Sequence, residues 1–201
     1  MYWIKILEKD KLCDNVYRFK FSKPQGFKYN VGQAVSLGFE NSLKPFTFTS
    51  LPTDDYLEFM IKVYPERNGI TFKLAGMRTG EILMGEPFGD LQFKGDGLFI
   101  CAGSGITPFI PMFKSGGKGK LLWWNSTENE VFMKDWLKEN LDCEFFLTQE
   151  RKERFGFGRV SKEVLAKENF DKIYVCGLSG FVNAVSDILK VLGRKCEIFV
   201  W

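Results

Sequence analysis

In the first half of the chain, apolar and polar residues alternate in short runs: Trp3 to Leu7, Val16 to Phe21, Ala34 to Gly38, Leu57 to Val63 and Glu81 to Met84, with Gly, Pro, Asn or Asp between most of them. A period of two sends successive side chains to opposite faces, so these runs predict the strands of an antiparallel barrel or sandwich. One short helix is predicted from Ile70 to Met77, behind the turn residues Asn68 and Gly69. The rhythm then changes. Apolar runs at Leu98 to Ala102, Lys120 to Trp124, Glu144 to Thr148, Ile173 to Cys176 and Glu197 to Val200 are separated by helix-like stretches, the clearest being Val131 to Leu137 and Val182 to Leu192. Such alternation predicts a doubly wound parallel sheet. The change falls at Lys94-Gly95-Asp96-Gly97, dividing the chain into an antiparallel β-barrel domain, 1–96, and an α/β domain, 97–201.

Composition narrows the chemistry. The 201 residues are 45% apolar, with 21 Phe, enough to fill a substantial core. Histidine is absent. That removes Ser-His-Asp and Cys-His nucleophile systems, HExxH zinc centres and the facial triad of non-haem iron, and points to chemistry done by a bound group. Lys plus Arg number 28 against 25 Asp plus Glu, with no long basic run; Arg151, Lys152 and Arg154 form a local patch only, so no nucleic-acid partner is expected. The five isolated cysteines lack the spacing of a zinc or iron–sulfur site, and their odd number argues against a disulfide framework. No metal site and a reducing cytoplasm are the expectations. Charge enters Met1 to Glu8 too early for a signal peptide, and the longest apolar run, Leu98 to Phe113, is too short for a membrane span and carries Pro108 and Pro111, so no membrane partner is expected.

Four motifs carry candidate chemistry. Phe99 to Phe109 reads as a buried strand running into a Gly-x-Gly turn, Gly103-Ser104-Gly105, and then a helix, with Pro108 where the ordinary dinucleotide fingerprint has its third glycine. A turn of this kind brings backbone N–H groups to a pyrophosphate, though it also serves as a plain strand-to-helix connection. Lys44-Pro45-Phe46-Thr47-Phe48-Thr49-Ser50 places a cation, rings and hydroxyls on an extended segment, positions 44, 46 and 48 facing one way and 45, 47 and 49 the other. It suits a flat ligand with a phosphate tail, or else an amphipathic barrel strand with Thr outside. Asn68-Gly69-Ile70-Thr71 is a candidate helix cap with groups for phosphate. Ile173 to Gly177 ends in Cys176-Gly177 at the carboxyl edge of the expected parallel sheet, where open α/β sheets bind ligands; a buried Cys is equally a core residue.

In this order and spacing the motifs resemble the ferredoxin–NADP reductase superfamily along nearly the whole chain. The family's Arg-x-Tyr-Ser/Thr matches Lys44 to Thr47, its phosphate turn Gly69 to Thr71, its Gly-x-Gly-Ile-Thr-Pro Gly103 to Pro108; Gly80 and Gly85 to Gly89 resemble its run into the linker, and Thr148, Gly158-Arg159 and Tyr174 to Gly177 complete the match. The resemblance implies an FAD-binding barrel, an α/β domain for NADH or NADPH, and a small redox protein as acceptor. By it, Phe46 lies on the flavin, Thr47 hydrogen-bonds near N5, Lys44 and Pro45 serve the pyrophosphate end, and Lys62, Val63 and Tyr64 flank the ribityl and phosphate groups. Gly103, Gly105, Ile106, Thr107 and Pro108 form the nucleotide floor, with Thr148 and Gln149 toward its adenosine and Cys176 and Gly177 near the nicotinamide. Thr47 and Cys176 are the implied catalytic residues. Trp201 either covers the flavin until nicotinamide displaces it or packs the final strand.

Three departures bear on function. Lys44 replaces the family's Arg, a point charge in place of a planar fork, which leaves open a free-flavin or ferric reductase that releases flavin as product. Phe46 replaces Tyr, and Leu178, Ser179 and Phe181 stand where many members have Pro and Met. Gln149 occupies a position where NADPH users often carry Arg, favouring NADH, although Arg151, Lys152 and Arg154 stand nearby. A non-catalytic electron-transfer subunit is the third possibility.

Overall fold

A computed structural model describes residues 1–40, 42–89 and 93–200. The chain divides into two compact units, Met1–Phe93 with Thr107–Ser115, and Lys94–Ile106 with Gly116–Trp201.

The first unit holds β1 (Tyr2–Lys11), β2 (Val16–Ser22), β3 (Ala34–Phe39), β4 (Ser42–Thr47), β5 (Tyr56–Lys62) and β6 (Glu81–Met84), with the helices α1 (Ile70–Gly76) and α2 (Phe109–Lys114). Its strands are antiparallel, in the order β4-β3-β6-β1-β2-β5. Just past β4, the Thr49 N–H donates to the Glu58 carbonyl of β5 at 2.8 Å, drawing the two end strands together into a barrel. Phenylalanine fills it: Phe19, Phe21, Phe48 and Phe59 have no exposed surface, and Tyr29 stacks on Phe48 at 3.9 Å.

β1 runs well beyond the apolar stretch that predicts it. Glu8 to Lys11 have no apolar alternation, yet they pair with β2, and the cross-strand ion pairs Lys20–Glu8 (2.8 Å) and Arg18–Asp10 (2.6 Å) offset their polarity. β5 stops at Lys62, where the Val63 N–H turns to the Asn15 carbonyl at 2.7 Å.

The second unit holds β7 (Gly97–Ala102), β8 (Gly119–Asn125), α3 (Lys134–Asn140), β9 (Asp142–Leu147), β10 (Gly156–Phe157), α4 (Lys162–Leu165), β11 (Ile173–Gly177), α5 (Ser179–Val191) and β12 (Glu197–Val200). Its strands are parallel, in the order β10-β9-β8-β7-β11-β12. On one face Leu98, Ile100, Leu122, Trp124 and Val175 pack against Val182, Val185 and Leu189 of α5. On the other, Phe99 stacks on Tyr174 at 4.9 Å and Trp123 meets Phe132 and Phe145 edge-on. The helix expected over Val131 to Leu137 begins only at Lys134: a short 3-10 turn, Glu128–Glu130, precedes it, and Met133 takes a left-handed backbone (φ 55°) that interrupts helical propagation. No helix among the described residues is long and apolar enough to cross a membrane.

Candidate cofactor and nucleotide sites

β4 is an end strand in the order of the first sheet, which is why Pro45 is tolerated in register with Ser36: a proline lacks only a donor that an edge does not need. The expected two-faced alternation from 44 to 49 does not hold. Lys44 and Pro45 are both exposed and Phe46 is half-buried, whereas Thr47, Phe48, Thr49 and Ser50 are all buried. The segment leaves the strand after Thr47 and turns inward, so Thr47 and Thr49 are not the outward residues of an amphipathic strand. Thr47 is 5% exposed and its hydroxyl makes no hydrogen bond among the described residues.

The turn at Gly69 is brought to the same sheet. Ile70, the first residue of α1, packs over β3 so closely that a Cβ on Gly38 would lie 2.9 Å from its Cδ1, and Gly38 pairs with Leu43, next to Lys44. α1 starts without a side-chain cap at Gly69; the Thr71 hydroxyl does not close it, and the first-turn N–H groups stay available to an anion. Lys62 ends β5; Tyr64 lies beyond it, with the Arg67 guanidinium 4.6 Å from its ring centre. A lysine, a helix start without a side-chain cap, a ring and a hydroxyl without a partner among the described residues make a set of groups that fits a phosphate-tailed planar cofactor such as FAD.

Behind the motif lies a polar network that sequence pattern misses. In β5 the residues from Leu57 to Ile61 are all buried, including Glu58 at 3% exposure. Alternation would place Glu58 in water; instead α2 carries Lys114 to it, Nζ to Oε1 at 2.8 Å, and Lys114 also donates to the Thr49 carbonyl at 2.8 Å. The Thr49 hydroxyl donates to Glu58 Oε1 at 2.9 Å, the Glu58 N–H donates to Ser50 Oγ at 2.9 Å, and Tyr29 and Ser50 share a 2.8 Å hydrogen bond. Burial pushes the Tyr29 phenol above its ordinary range. The one local clue is a lysine closing an otherwise apolar helix, Phe109 to Lys114.

In the second unit, successive strands after β7 add on one side as β8, β9 and β10, and then β11 adds on the other. The β7–β11 junction is therefore the topological switch point, where open parallel sheets bind ligands at the carboxyl ends of their strands. The Gly-x-Gly turn stands there. Gly103 takes φ +53°, and a Cβ on Gly105 would lie 2.4 Å from the Cys176 carbonyl oxygen, so only glycine lets the turn press onto the end of β11. The Trp123 indole donates to the Gly103 carbonyl at 2.9 Å and fixes the turn from β8. Gly103 to Ile106 form a 3-10 turn. Thr107 and Pro108 are buried and belong to the first unit.

Cys176 has no exposed surface and pairs in register with Cys101, whose thiol burial, with Cys176 alongside, pushes well above its ordinary range. Thr148 and Gln149 follow β9 and are exposed; their N–H groups donate to the carbonyls of Asn125 and Ser126, each at 3.0 Å. Arg151 stacks on Phe157 with its guanidinium carbon 4.0 Å from the ring centre. Among the described residues no cluster of Cys, Asp or Glu could hold a metal ion. Trp201 lies outside the described residues.

Barrel and parallel sheet, each with a ligand-competent edge, define a two-domain flavin and nicotinamide-nucleotide protein. Residues 1–83 match an FAD-binding domain model, and residues 99–187 an oxidoreductase NAD-binding domain model. NADH-cytochrome b5 reductase 2 of Aspergillus oryzae is 30% identical over 72% of this chain and 53% of its own. A probable dihydroorotate dehydrogenase B (NAD(+)) electron transfer subunit of Methanopyrus kandleri is 22% identical over 98% of this chain and 77% of its own. The structure of a ferredoxin NADP+ reductase from Neisseria gonorrhoeae with bound FAD and NADP superposes with a TM-score of 0.82 at 20% identity, covering 99% of this chain and 98% of that one. The chain spans 31% of human cytochrome b5 reductase 4 and 9% of rat dual oxidase 1, which it also matches. The chain therefore carries an FAD-binding domain followed by an oxidoreductase NAD-binding domain, on the fold that the ferredoxin NADP+ reductase structure shares.

Proposed function

We propose that this protein is a flavin-dependent NAD(P)H oxidoreductase, residues 1–96 serving as the flavin domain and 97–201 as the nucleotide domain, which moves hydride from the nicotinamide to flavin N5 and hands the electrons to a small redox protein. The observation that carries the reading is the Gly-x-Gly turn pressed onto Cys176–Gly177 at the switch point of a parallel sheet that follows an FAD-binding barrel. When bound, FAD supplies the hydride acceptor and electron-transfer chemistry that a chain without histidine lacks.

The chain's own residues bind and orient. Phe46 offers a ring to stack on, Thr47 a hydroxyl to donate toward N5, and Lys44 with the start of α1 a positive end for pyrophosphate. Lys62, Val63 and Tyr64 flank the remainder of the cofactor. Gly103, Gly105 and Ile106 supply backbone donors to the nucleotide, Thr148 and Gln149 meet its adenosine end, and Cys176 and Gly177 border its nicotinamide end. NADH is the favoured donor: Gln149 brings no cation for a ribose phosphate, and the cytochrome b5 reductase relatives are named for NADH.

An electron-transfer subunit acting within a complex is the second reading, favoured by the match to the Methanopyrus protein along nearly the whole chain. Anaerobic titration of the purified protein with NADH and then NADPH, followed by flavin absorbance, tests both. Bleaching by NADH and reoxidation by a small redox protein are expected of the reductase. Bleaching with no turnover until a partner subunit is added favours the second reading, and a protein that neither holds flavin nor bleaches it overturns both.

A further inference from the structure

The polar network behind β4 ties two ionisable side chains to one short stretch of backbone. Every polar group of Thr49 is engaged: its N–H donates to the Glu58 carbonyl at 2.8 Å, its hydroxyl to Glu58 Oε1 at 2.9 Å, and its carbonyl accepts from Lys114 Nζ at 2.8 Å. Ser50 is held as firmly. Its Oγ accepts the Glu58 N–H at 2.9 Å and shares a 2.8 Å hydrogen bond with Tyr29, whose phenol donates to the Leu51 carbonyl at 2.8 Å.

Stability alone does not account for an ion pair here. Taking a carboxylate and an ammonium out of water offsets most of their attraction, so apolar side chains of the same size would serve the fold about as well. What the pair adds is direction, and its bonds converge on the two residues after Phe48. Thr47 lies just before them. It makes the last β3–β4 pair, with Ala34, and the Phe48 N–H still reaches the Gln33 carbonyl at 3.2 Å; past that point the hold passes from β3 to Glu58 and Lys114. Thr47 is thus fixed from both sides, while its own hydroxyl has no partner among the described residues. A group that serves a reacting atom must be placed to within about 0.5 Å by the shell behind it.

We infer that Glu58 and Lys114 are positioning residues for flavin reduction: through Thr49 they fix the backbone at Thr47 and so aim its hydroxyl at N5. This rests on the reductase reading above, in which Thr47 donates toward that atom. The pair itself moves no proton and no electron; its effect reaches the flavin only by way of Thr47.

A double-mutant cycle in the full-length, flavin-loaded protein tests this. Glu58→Met with Lys114→Met replaces the pair by apolar chains of similar length and strands no charge. At saturating NADH it should slow flavin reduction about tenfold, and it should speed flavin release, read by fluorescence on dilution, about fivefold. In a Thr47→Val background the same double change should alter either rate by less than about twofold, because the hydroxyl it aims is gone. Equal fold-changes in the two backgrounds overturn the inference and leave the pair a support of the fold, and wild-type rates in the double variant overturn it as well. Should the double variant not fold, Thr49→Val, which removes only the hydroxyl that ties Thr49 to Glu58, is read against Thr47→Val by the same criterion. Thr47→Val with wild-type rates overturns the N5 role of Thr47 and the inference with it. Wild-type protein that NADH does not bleach overturns the reductase reading itself, a different result from variants that bleach but show no coupling.

Discussion

Each unit buries a glutamate against a lysine, and the two pairs stand in opposite relation to their candidate sites. In the barrel, Glu58 (3% exposed) meets Lys114 and is tied by hydrogen bonds to Thr49 and Ser50, the residues immediately following Phe46 to Phe48. In the α/β unit, Glu168 (6% exposed) meets Lys120 at 2.8 Å, with the more exposed Glu144 at 2.6 Å. Lys120 stands at the start of β8, five residues and about 16 Å along the strand from Asn125, at the amino edge of a sheet whose candidate site lies on the carboxyl edge. The barrel pair is part of the scaffold of its site; the α/β pair holds the sheet far from its own.

The sharpest break in this comparison is Lys114→Met. It strands Glu58 without its counter-charge and should cost about 3–5 kcal/mol of stability in urea unfolding. Flavin affinity should fall with it, because the chain after Thr47 loses its anchor; normal flavin binding in a destabilised variant would detach the network from the site. Combining it with Glu58→Gln should recover a large part of the loss, since the stranded charge is then gone.

Lys120→Met should cost somewhat less, about 2–4 kcal/mol, with NAD+ affinity unchanged. Burial alone would lower the Lys120 pKa, but its hydrogen bonds to Glu144 and Glu168 outweigh burial and raise it. A raised lysine pKa adds stability that is complete below the unfolded value of about 10.4 and is lost as pH climbs through the folded one. Wild type should therefore lose Tm above about pH 10, and Lys120→Met should lose less of it over the same range. A fall in NAD+ affinity would show that the amino-edge pair reaches the site after all.

Phe46→Ala should weaken flavin binding by about 1–3 kcal/mol with the barrel intact, as its ring is only half-buried against the core. Unchanged flavin affinity, read by fluorescence titration, would place the isoalloxazine away from β4. The smallest effect is expected of Lys44→Arg, which is exposed and should tighten flavin retention by less than about 1 kcal/mol by presenting a planar fork to pyrophosphate. Weaker retention would show that Lys44 does not serve the phosphates.

Local pattern was enough for the strands with clean alternation, the parallel core strands, the Gly-x-Gly turn and the order of the motifs, because periodicity and turn chemistry are properties of neighbouring residues. It was not enough where long-range partners overrule them. Glu8 to Lys11 extend β1 because β2 supplies ladder partners and opposite charges, and Glu58 goes inward because a lysine more than fifty residues later, Lys114, arrives to meet it. Thr47 and Thr49 turn inward because the segment leaves the edge strand to meet β5. Asn125 reads as a polar residue ending an apolar run, and its composition announces nothing. That its amide is sealed from water, with no partner for either end among the described residues, depends on the strands and side chains around it, and burial of a polar group is decided only when those surroundings come together in three dimensions.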